Sequence, residues 1–280
     1  MNLHADSPGK INLFLDVTGK RENGYHDILT LFLPSSLSDT ITVQPAQQLT
    51  ISCSHPSVPT DEKNLCWQAA EIFARESKLL PNWEITIDKK LPVAGGMGGG
   101  SSNAGTLLKL LAAHYKTISH EQLKEIALSI GADVPFFLNP KPAIAAGVGE
   151  ELEFLETKNK IPMLIVTFGF PISAAWAYQH RKLDFSSSKI SLTDLKEKWD
   201  SQQIFDLVYN DLAHAIRDKF SLLEMTRQDL LDNGAKGAEV SGSGPSLFAL
   251  FDTEESRDHC LAQMLVAEIP RANLFPCFAG

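Results

Sequence analysis

The chain has 280 residues, of which 44% are hydrophobic and 21% charged, and its formal net charge is −9 at neutral pH. That length and mix allow one large or two modest folded domains with a full core. The negative balance argues against broad binding to nucleic acid or to an anionic membrane, both of which need a basic surface. Its four cysteines, Cys53, Cys66, Cys260 and Cys277, are scattered with no CxxC pair, which speaks against a disulfide framework or zinc site and predicts reduced thiols. No apolar run approaches ~20 residues, and the opening MNLHADSPGK has no charged-then-apolar leader, so a cytoplasmic protein is expected.

The first segment alternates, with Ile11, Leu13, Leu15 and Val17 on one side and Asn12, Phe14 and Asp16 on the other. A period of two predicts a strand with one face on a core. KRENGY supplies an Asn23-Gly24 turn and HDILTLF a returning strand, a hairpin pattern. Further strands are predicted at 40–43, 49–52 and 83–87. Between the last two, Leu65, Ala69, Ile72 and Phe73 fall at helical spacing. Ala104, Leu107, Leu108 and Leu111 predict a helix opening near Ser101, with Ser101 and Ser102 as natural caps. A second helix is marked by a Ser119/Gln122 capping box and by Leu123, Ile126, Ala127 and Ile130 on one face. Gly131 stands where a left-handed C-terminal residue is common, so GADVPFF begins as that helix stops.

Past about residue 155 the pattern changes. PMLIVTFGF predicts a buried strand and SAAWAYQH a short helix, followed by the serine-rich DFSSSKISLTD. A long helix is predicted from Asp211 to Asp232, with Gly234 beyond it. KGAEVSGSGPSLFALF reads as strand–loop–strand, EESRDHCLAQMLVAE as a helix and ANLFPCF as a final strand. That order suits a ferredoxin-like second domain.

Five of the ten residues from Leu91 to Gly100 are glycine. A flexible linker would join two separately patterned domains, whereas this stretch runs directly from a strand into a helix. Gly95, Gly96, Gly98, Gly99 and Gly100 permit close backbone approach. Successive bare N–H groups ahead of a helix N-terminus form an anion-binding nest. A phosphate cradle is therefore expected. The Walker pattern is absent, the dinucleotide spacing fails at Ser101, and protein-kinase signatures are missing.

SPGKIN at 7–12, PVAGGMGGGSSNAG at 92–105 and VSGSGPSLFALF at 240–251 resemble, in order, the three motifs of the GHMP small-molecule kinases. Within that family, SPGKINLFLDVTGKRENGYHDILTLF, GADVPFFL and GVGEEL resemble the branch that acts on a cytidine-diphosphate-linked methylerythritol. The resemblance spans nearly the whole chain and is loosest over 180–205. It departs at Ala94, where another glycine is usual, and at Gly9, where alanine is commoner. It implies an α/β (α+β) fold of two domains: a ribosomal-S5-domain-2-like nucleotide-binding domain at 1–155 and a ferredoxin-like substrate-side domain at 156–280.

The resemblance further implies transfer of the γ-phosphoryl of ATP, with Mg²⁺, to the 2-hydroxyl of the methylerythritol unit. Phosphoryl transfer depends on positioning and charge stabilisation. Asp133 is expected to take the hydroxyl proton, although an aspartate after a helix also serves simply to close a turn. Lys10 would keep that carboxylate ionised and polarise the reacting oxygen; a lysine near a terminus is otherwise a solvated charge. Asn12 lies two residues on, on the same strand face. Pro92, Val93, Ala94, Gly95, Gly96, Met97, Gly98, Gly99, Gly100, Ser101 and Ser102 would wrap the ATP phosphates, with Ser102 the ligand for Mg²⁺. Asn64 and Lys90 would contact adenosine, with Lys89 an alternative to Lys90.

Tyr25 and His26 would hold the cytosine, by stacking and by reading its polar edge. Tyr178 would close the aromatic sandwich, with Trp176 its rival. Gly242, Ser243 and Gly244 form a second glycine loop expected to lie against the first. The partner is a small molecule, not nucleic acid or membrane, and monomer and homodimer both stay open. Two other readings remain: a GHMP kinase for another alcohol, such as homoserine or mevalonate, and a catalytically silent nucleotide-binding module. The base-binding stretch NGYHDILTLF speaks against the first, and the presence of both Lys10 and Asp133 against the second.

Overall fold

The computed structural model describes residues 2–157, 159–181, 190–267, 269 and 272–280. In chain order its elements are strands β1 (Leu3–Lys20), β2 (His26–Pro45) and β3 (Thr50–Cys53), helix α1 (Leu65–Ser77), strand β4 (Trp83–Asp88), and helices α2 (Gly99–Tyr115), α3 (His120–Ile130) and α4 (Val134–Leu138). Strands β5 (Ala143–Ala146), β6 (Glu151–Phe154) and β7 (Ile161–Phe168) follow, then helices α5 (Ala174–His180) and α6 (Leu192–Asp200). The chain continues through β8 (Tyr209–Asn210), α7 (Ala213–Lys219), α8 (Ser221–Asp232), β9 (Gly237–Val240), β10 (Leu247–Leu250), α9 (Glu254–Val266) and β11 (Ala272–Ala279).

These elements form two compact units, each assembled from separated stretches of chain. One comprises Met1–Gly9, Leu37–Val93 and Gly98–Pro140; the other comprises Lys10–Ser36, Ala94–Met97 and Lys141–Gly280. This interleaved division differs in kind from the single cut near 155 that the sequence pattern suggests, because β1 and β2 each contribute to both units.

In the first unit, the later half of β2 pairs antiparallel with β4, from Thr40↔Asp88 to Pro45↔Trp83, and β3 pairs parallel with β4. Alternating burial along β4 places Trp83, Ile85 and Ile87 inward. They share a core with Phe73 of α1, Leu107, Leu108 and Leu111 of α2, and Leu123 and Ile126 of α3. The Ser119 capping box is present, with the Gln122 side chain returning to the Ser119 backbone. Gly131 adopts φ 174°, extended backbone rather than the left-handed cap predicted, because the chain turns directly into α4.

In the second unit the order β9-β10-β7-β11, antiparallel at every pairing, is the ferredoxin-like arrangement. Leu164 and Val166 of β7, Leu247 and Ala249 of β10, Leu223 and Leu230 of α8, and Cys260 and Met264 of α9 lie in its core. The early half of β2 pairs with β5, and Phe14↔Tyr209 and Leu15↔Asn210 join β1 to β8 in parallel.

Four predicted elements are corrected. The segments at 26–32 and 40–43 belong to one strand, kept extended through Ser35 by its pairing with Ala279. β1 is buried on both faces from Lys10 to Val17, not on one. The predicted 211–232 helix is broken at Phe220, which takes φ −117°, ψ 78° and stacks on Phe170 while meeting Trp176 edge-on; tertiary packing outweighs helical propensity there. Helix α6, capped by Ser191 and Asp194, falls where the sequence pattern shows only a polar stretch, and the serine-rich residues 184–189 lie outside the described residues.

Candidate active site

β1 delivers two polar side chains into the interior of the second unit. Lys10 is 5% exposed and Asn12 2%, so Lys10 is not a solvated surface charge. Lys10 Nζ donates to Asn12 Oδ1 at 2.6 Å and lies 4.5 Å from the centre of the Phe32 ring. Asn12 Nδ2 donates to Thr30 Oγ1 at 2.9 Å, whose hydroxyl donates in turn to Phe14 O. A burial this deep needs such partners, and this chain of bonds fixes the ammonium on one face of the strand.

The tip of the first glycine loop packs against the second. Lys10 N donates to Met97 O at 3.0 Å, Ser241 Oγ to Gly96 O at 3.1 Å, and Ser246 N to Gly95 O at 3.3 Å. A Cβ on Gly96 would lie 2.3 Å from Ser241 O, and the residue sits at φ +76°, so both space and backbone demand glycine. A Cβ on Gly242, at φ +56°, would come within 3.2 Å of Asn12 Oδ1. Ser243 and Gly244 complete this loop. Ala94 occupies φ +54°, left-handed backbone where the missing glycine would be unstrained.

The start and end of the first loop belong to the other unit. There Asp39, fully buried, accepts from Lys89 Nζ, Asn103 Nδ2, Lys90 N and Leu91 N at 2.5–2.9 Å. This carboxylate pins the strand that feeds Pro92 and Val93. Gly98, left-handed at φ 67°, opens α2 without a side-chain cap, and the first turn carries no acidic residue. Ser101 and Ser102 are therefore inside the helix rather than caps, because Gly98 turns the chain into helix one residue before Gly99. Bare amides at the start of a helix whose own first turn carries no acidic side chain suit an anionic phosphate.

Ser102 Oγ donates to Pro8 O at 2.6 Å and shares a bond with Ser7 Oγ at 2.7 Å. Among the described residues, no group of three or more His, Cys, Asp or Glu is placed to hold a metal ion. Asn64 caps α1, accepting from Cys66 N and donating to Pro59 O. Lys89 is committed to Asp39, whereas the Lys90 side chain is exposed. Asp133 is half-buried at the start of α4. Its position depends on Gly105: a Cβ there would lie 2.7 Å from Phe137 Cβ, so only glycine lets α4 seat against α2.

A recess of about 430 Å³ opens in the second unit, lined by Asn23, Gly24, Tyr25, His26, Val148, Ala174, Ala175, Tyr178 and Gln179. The rings of His26 and Tyr178 stack at 5.0 Å and 20°, and Tyr25 is 63% exposed at the mouth. Trp176 is directed elsewhere, against His180 and Phe220. The turn below it is as predicted, with Gly24 at φ 86° and Arg21 N bonded to Tyr25 O. Burial, with the cations Arg181 and Lys20, pushes the His26 imidazole below its ordinary pKa. A neutral ring donates at one nitrogen and accepts at the other, which fits a base edge. Val148 is held by its N–H bond to Glu150 Oε2 at 2.6 Å.

Two residues of this construction escape sequence reasoning. Asp39 has no local pattern, since its donors come from residues 50 or more positions away. Glu150 lies within GVGEEL and could have been found from that motif.

Buried cation, paired glycine loops and uncapped helix start together define the class. The GHMP kinase N-terminal domain matches residues 64–140 and the GHMP kinase C-terminal domain residues 202–267. The chain is 35% identical over 265 residues to 4-diphosphocytidyl-2-C-methyl-D-erythritol kinase of Citrifermentans bemidjiense, covering 93% of this chain and 94% of that protein. It is 37% identical over 257 residues to the Chlorobium chlorochromatii protein of that name, covering 90% and 89%. A crystal structure of 4-(cytidine 5'-diphospho)-2C-methyl-D-erythritol kinase superposes with a TM-score of 0.84 at 28% identity, over 99% of this chain and 100% of that one. This chain belongs to the 4-diphosphocytidyl-2-C-methyl-D-erythritol kinase family of GHMP kinases.

Proposed function

We infer that the protein is an ATP-dependent kinase that phosphorylates the 2-hydroxyl of 4-diphosphocytidyl-2-C-methyl-D-erythritol, in the non-mevalonate route to isoprenoid precursors. Family membership at 33–37% identity over nearly the whole chain carries this reading. The stacked His26–Tyr178 recess supports it, because homoserine and mevalonate have no base to place there.

In the reaction, the substrate oxygen attacks the γ-phosphorus, the bond from that phosphorus to the β–γ bridging oxygen breaks, and ADP leaves. We assign Asp133 as acceptor of the hydroxyl proton, which a carboxylate can take late in a loose transition state. Lys10 supplies positive charge toward the acceptor oxygen and Asn12 orients it. The amides of the 92–102 loop hold the triphosphate, with Gly242, Ser243 and Gly244 on the substrate side. Mg²⁺ bound with ATP would neutralise charge on the β- and γ-oxygens. Ser102 is the side chain assigned to it, which requires its hydroxyl to leave Pro8 O. Lys90 is favoured over Lys89 for adenosine because its side chain is exposed and not paired with Asp39, and Asn64 would contribute while capping α1. Tyr25, His26 and Tyr178 hold the cytosine. The same proposal gives 1–155 the nucleotide role, apart from the substrate-side residues Lys10, Asn12, Tyr25 and His26, gives 156–280 the rest of the substrate role, and places the enzyme in the cytoplasm. Among the described residues, no helix is long and apolar enough to cross a membrane.

The test is ADP release from ATP and Mg²⁺ by the purified chain, in matched reactions with the cytidylated methylerythritol, homoserine, mevalonate or no acceptor. Turnover confined to the cytidylated alcohol is expected. Turnover on another acceptor, or ATP binding with no turnover on any, would overturn the reading.

A further inference from the structure

The aromatic recess is only as well placed as α5, a seven-residue helix that carries Tyr178. Arg181 directly follows this helix. Its Nη1 donates to Val17 O at 3.0 Å and to Asp211 Oδ2 at 2.8 Å, with both charged side chains at most 5% exposed. Asp211 Oδ2 also accepts from Val17 N at 3.2 Å, and its Oδ1 accepts from Tyr209 Oη at 2.7 Å. One carboxylate thus ties the end of α5 to β1, the strand that leads through Lys20 into the Tyr25–His26 turn. Tyr209 is kept a donor, because burial first, and then the bond to Asp211, push its phenol well above the ordinary range.

The preceding residue holds the other side of the substrate region. Asn210 is 1% exposed, and its amide is fully used. Nδ2 donates to both Val240 O and Gly242 O at 2.8 Å, while Oδ1 accepts from Leu212 N at 2.9 Å. The Asn210 side chain therefore fixes the start of the second glycine loop, beside the bonds that tie Ser241 and Ser246 to the first loop. Asp211 N donates to Leu15 O at 2.9 Å, which holds the dipeptide against β1.

We propose that Asn210 and Asp211 form a two-headed positioning element of the substrate site. Asp211, acting through Arg181, sets Tyr178 opposite His26; Asn210 sets the Ser241–Gly244 loop against Asn12 and Gly96. Neither touches substrate. A buried ion pair is rarely the most stabilising use of its space, since apolar replacements of similar volume are often as stable or more so. Its worth here is orientation. The inference rests on the kinase reading above.

The two heads separate kinetically. Asp211→Asn keeps the shape but loses the charge that anchors Arg181, so the KM of the cytidylated alcohol should rise about tenfold, part of the worth of a stacked base. The ATP KM and kcat should stay within about threefold. Asn210→Asp turns an acceptor toward two carbonyls, and a loop displaced by about 1 Å should lower kcat about 100-fold with less effect on KM.

The experiment is steady-state ADP release by the full chain, with circular dichroism to follow folding. Absence of wild-type turnover on the cytidylated alcohol would sink the kinase reading. With the wild type active, the split described is expected, and equal changes in kcat and KM for both variants, or none, would overturn the positioning role. If Asp211→Asn does not fold, Arg181→Lys and Arg181→Met replace it. The lysine variant should fall between wild type and the methionine variant in KM, and identical KM values for all three would refute the Arg181 link. If Asn210→Asp does not fold, Asn210→Ser serves, and an unchanged kcat would refute the loop link.

Discussion

Replacing Gly96 by alanine tests how the two glycine loops are joined. The added Cβ would stand 2.3 Å from Ser241 O and 3.1 Å from both Gly244 N and Gly244 O. A carbon–oxygen contact settles at about 3.3 Å or more, so the two backbones must part by roughly 1 Å. Left-handed backbone at φ +76° costs a non-glycine residue about 1–2 kcal/mol. Parting the loops also weakens the bonds from Ser241 Oγ to Gly96 O and from Ser246 N to Gly95 O, each worth about 1 kcal/mol. The loss of unfolding free energy is then about 3–4 kcal/mol. A 1 Å displacement of a positioned group also slows a reaction about 100-fold. Gly234 is the control, at φ +100° with nothing within 4 Å of a Cβ; Gly234→Ala should show the backbone cost alone and keep its kcat. ADP-release kinetics at matched folded fraction compare the two. A Gly96→Ala enzyme with the kcat of Gly234→Ala would show that loop contact does not position the reacting groups.

Asp133→Asn should abolish most turnover while ATP binding, followed by calorimetry, stays near wild type; equal loss of both would make the aspartate structural. Tyr25→Ala should weaken binding of the cytidylated alcohol by about 1–3 kcal/mol, the worth of a stacked base, and unchanged binding would mean the base lies elsewhere. His26 carries the pH dependence. Its pKa is held below the ordinary value by burial and then by Arg181 and Lys20, so the folded state favours the neutral ring. That contribution is complete above the unfolded pKa of about 6.5 and is lost as pH falls through the lowered folded value. The KM of the cytidylated alcohol should therefore rise only at pH below the ordinary histidine range, with the ATP KM flat. A rise centred at or above pH ~6.5 would contradict a depressed His26.

Local signals in the sequence agree with the structure where one element suffices to satisfy them. The Ser119–Gln122 box, the Asn23-Gly24 turn and the alternation of β4 are complete within a few residues. Readings failed where distant partners decide. Lys10 and Asn12 look like the polar face of a half-buried strand, yet both are buried because Thr30, Phe32 and the glycine loops cover that face. Phe220 looks like a helix-interior residue until Phe170 and Trp176 claim its ring. Motif resemblance names candidate residues that periodicity cannot, but it passes over Asp39, whose donors are remote in sequence.

The glycine stretch shows most directly why composition alone under-determines a site. Its five glycines read as one bare cradle, but they meet different constraints. Gly96 is required by the close approach of Ser241 and Gly244, a contact between two loops. Gly98 turns the chain into α2 and leaves the helix start without a side-chain cap, which is the feature that favours an anion. Around Gly99 the nearest atom is the end of the Lys89 side chain, and at Gly100 a Cβ would meet nothing nearer than 3.7 Å. The glycines of this stretch therefore serve separate ends, loop contact at Gly96 and the start of α2 at Gly98, and their number alone does not define a site. Ala94, at φ +54°, adds left-handed strain at a third position of the same stretch.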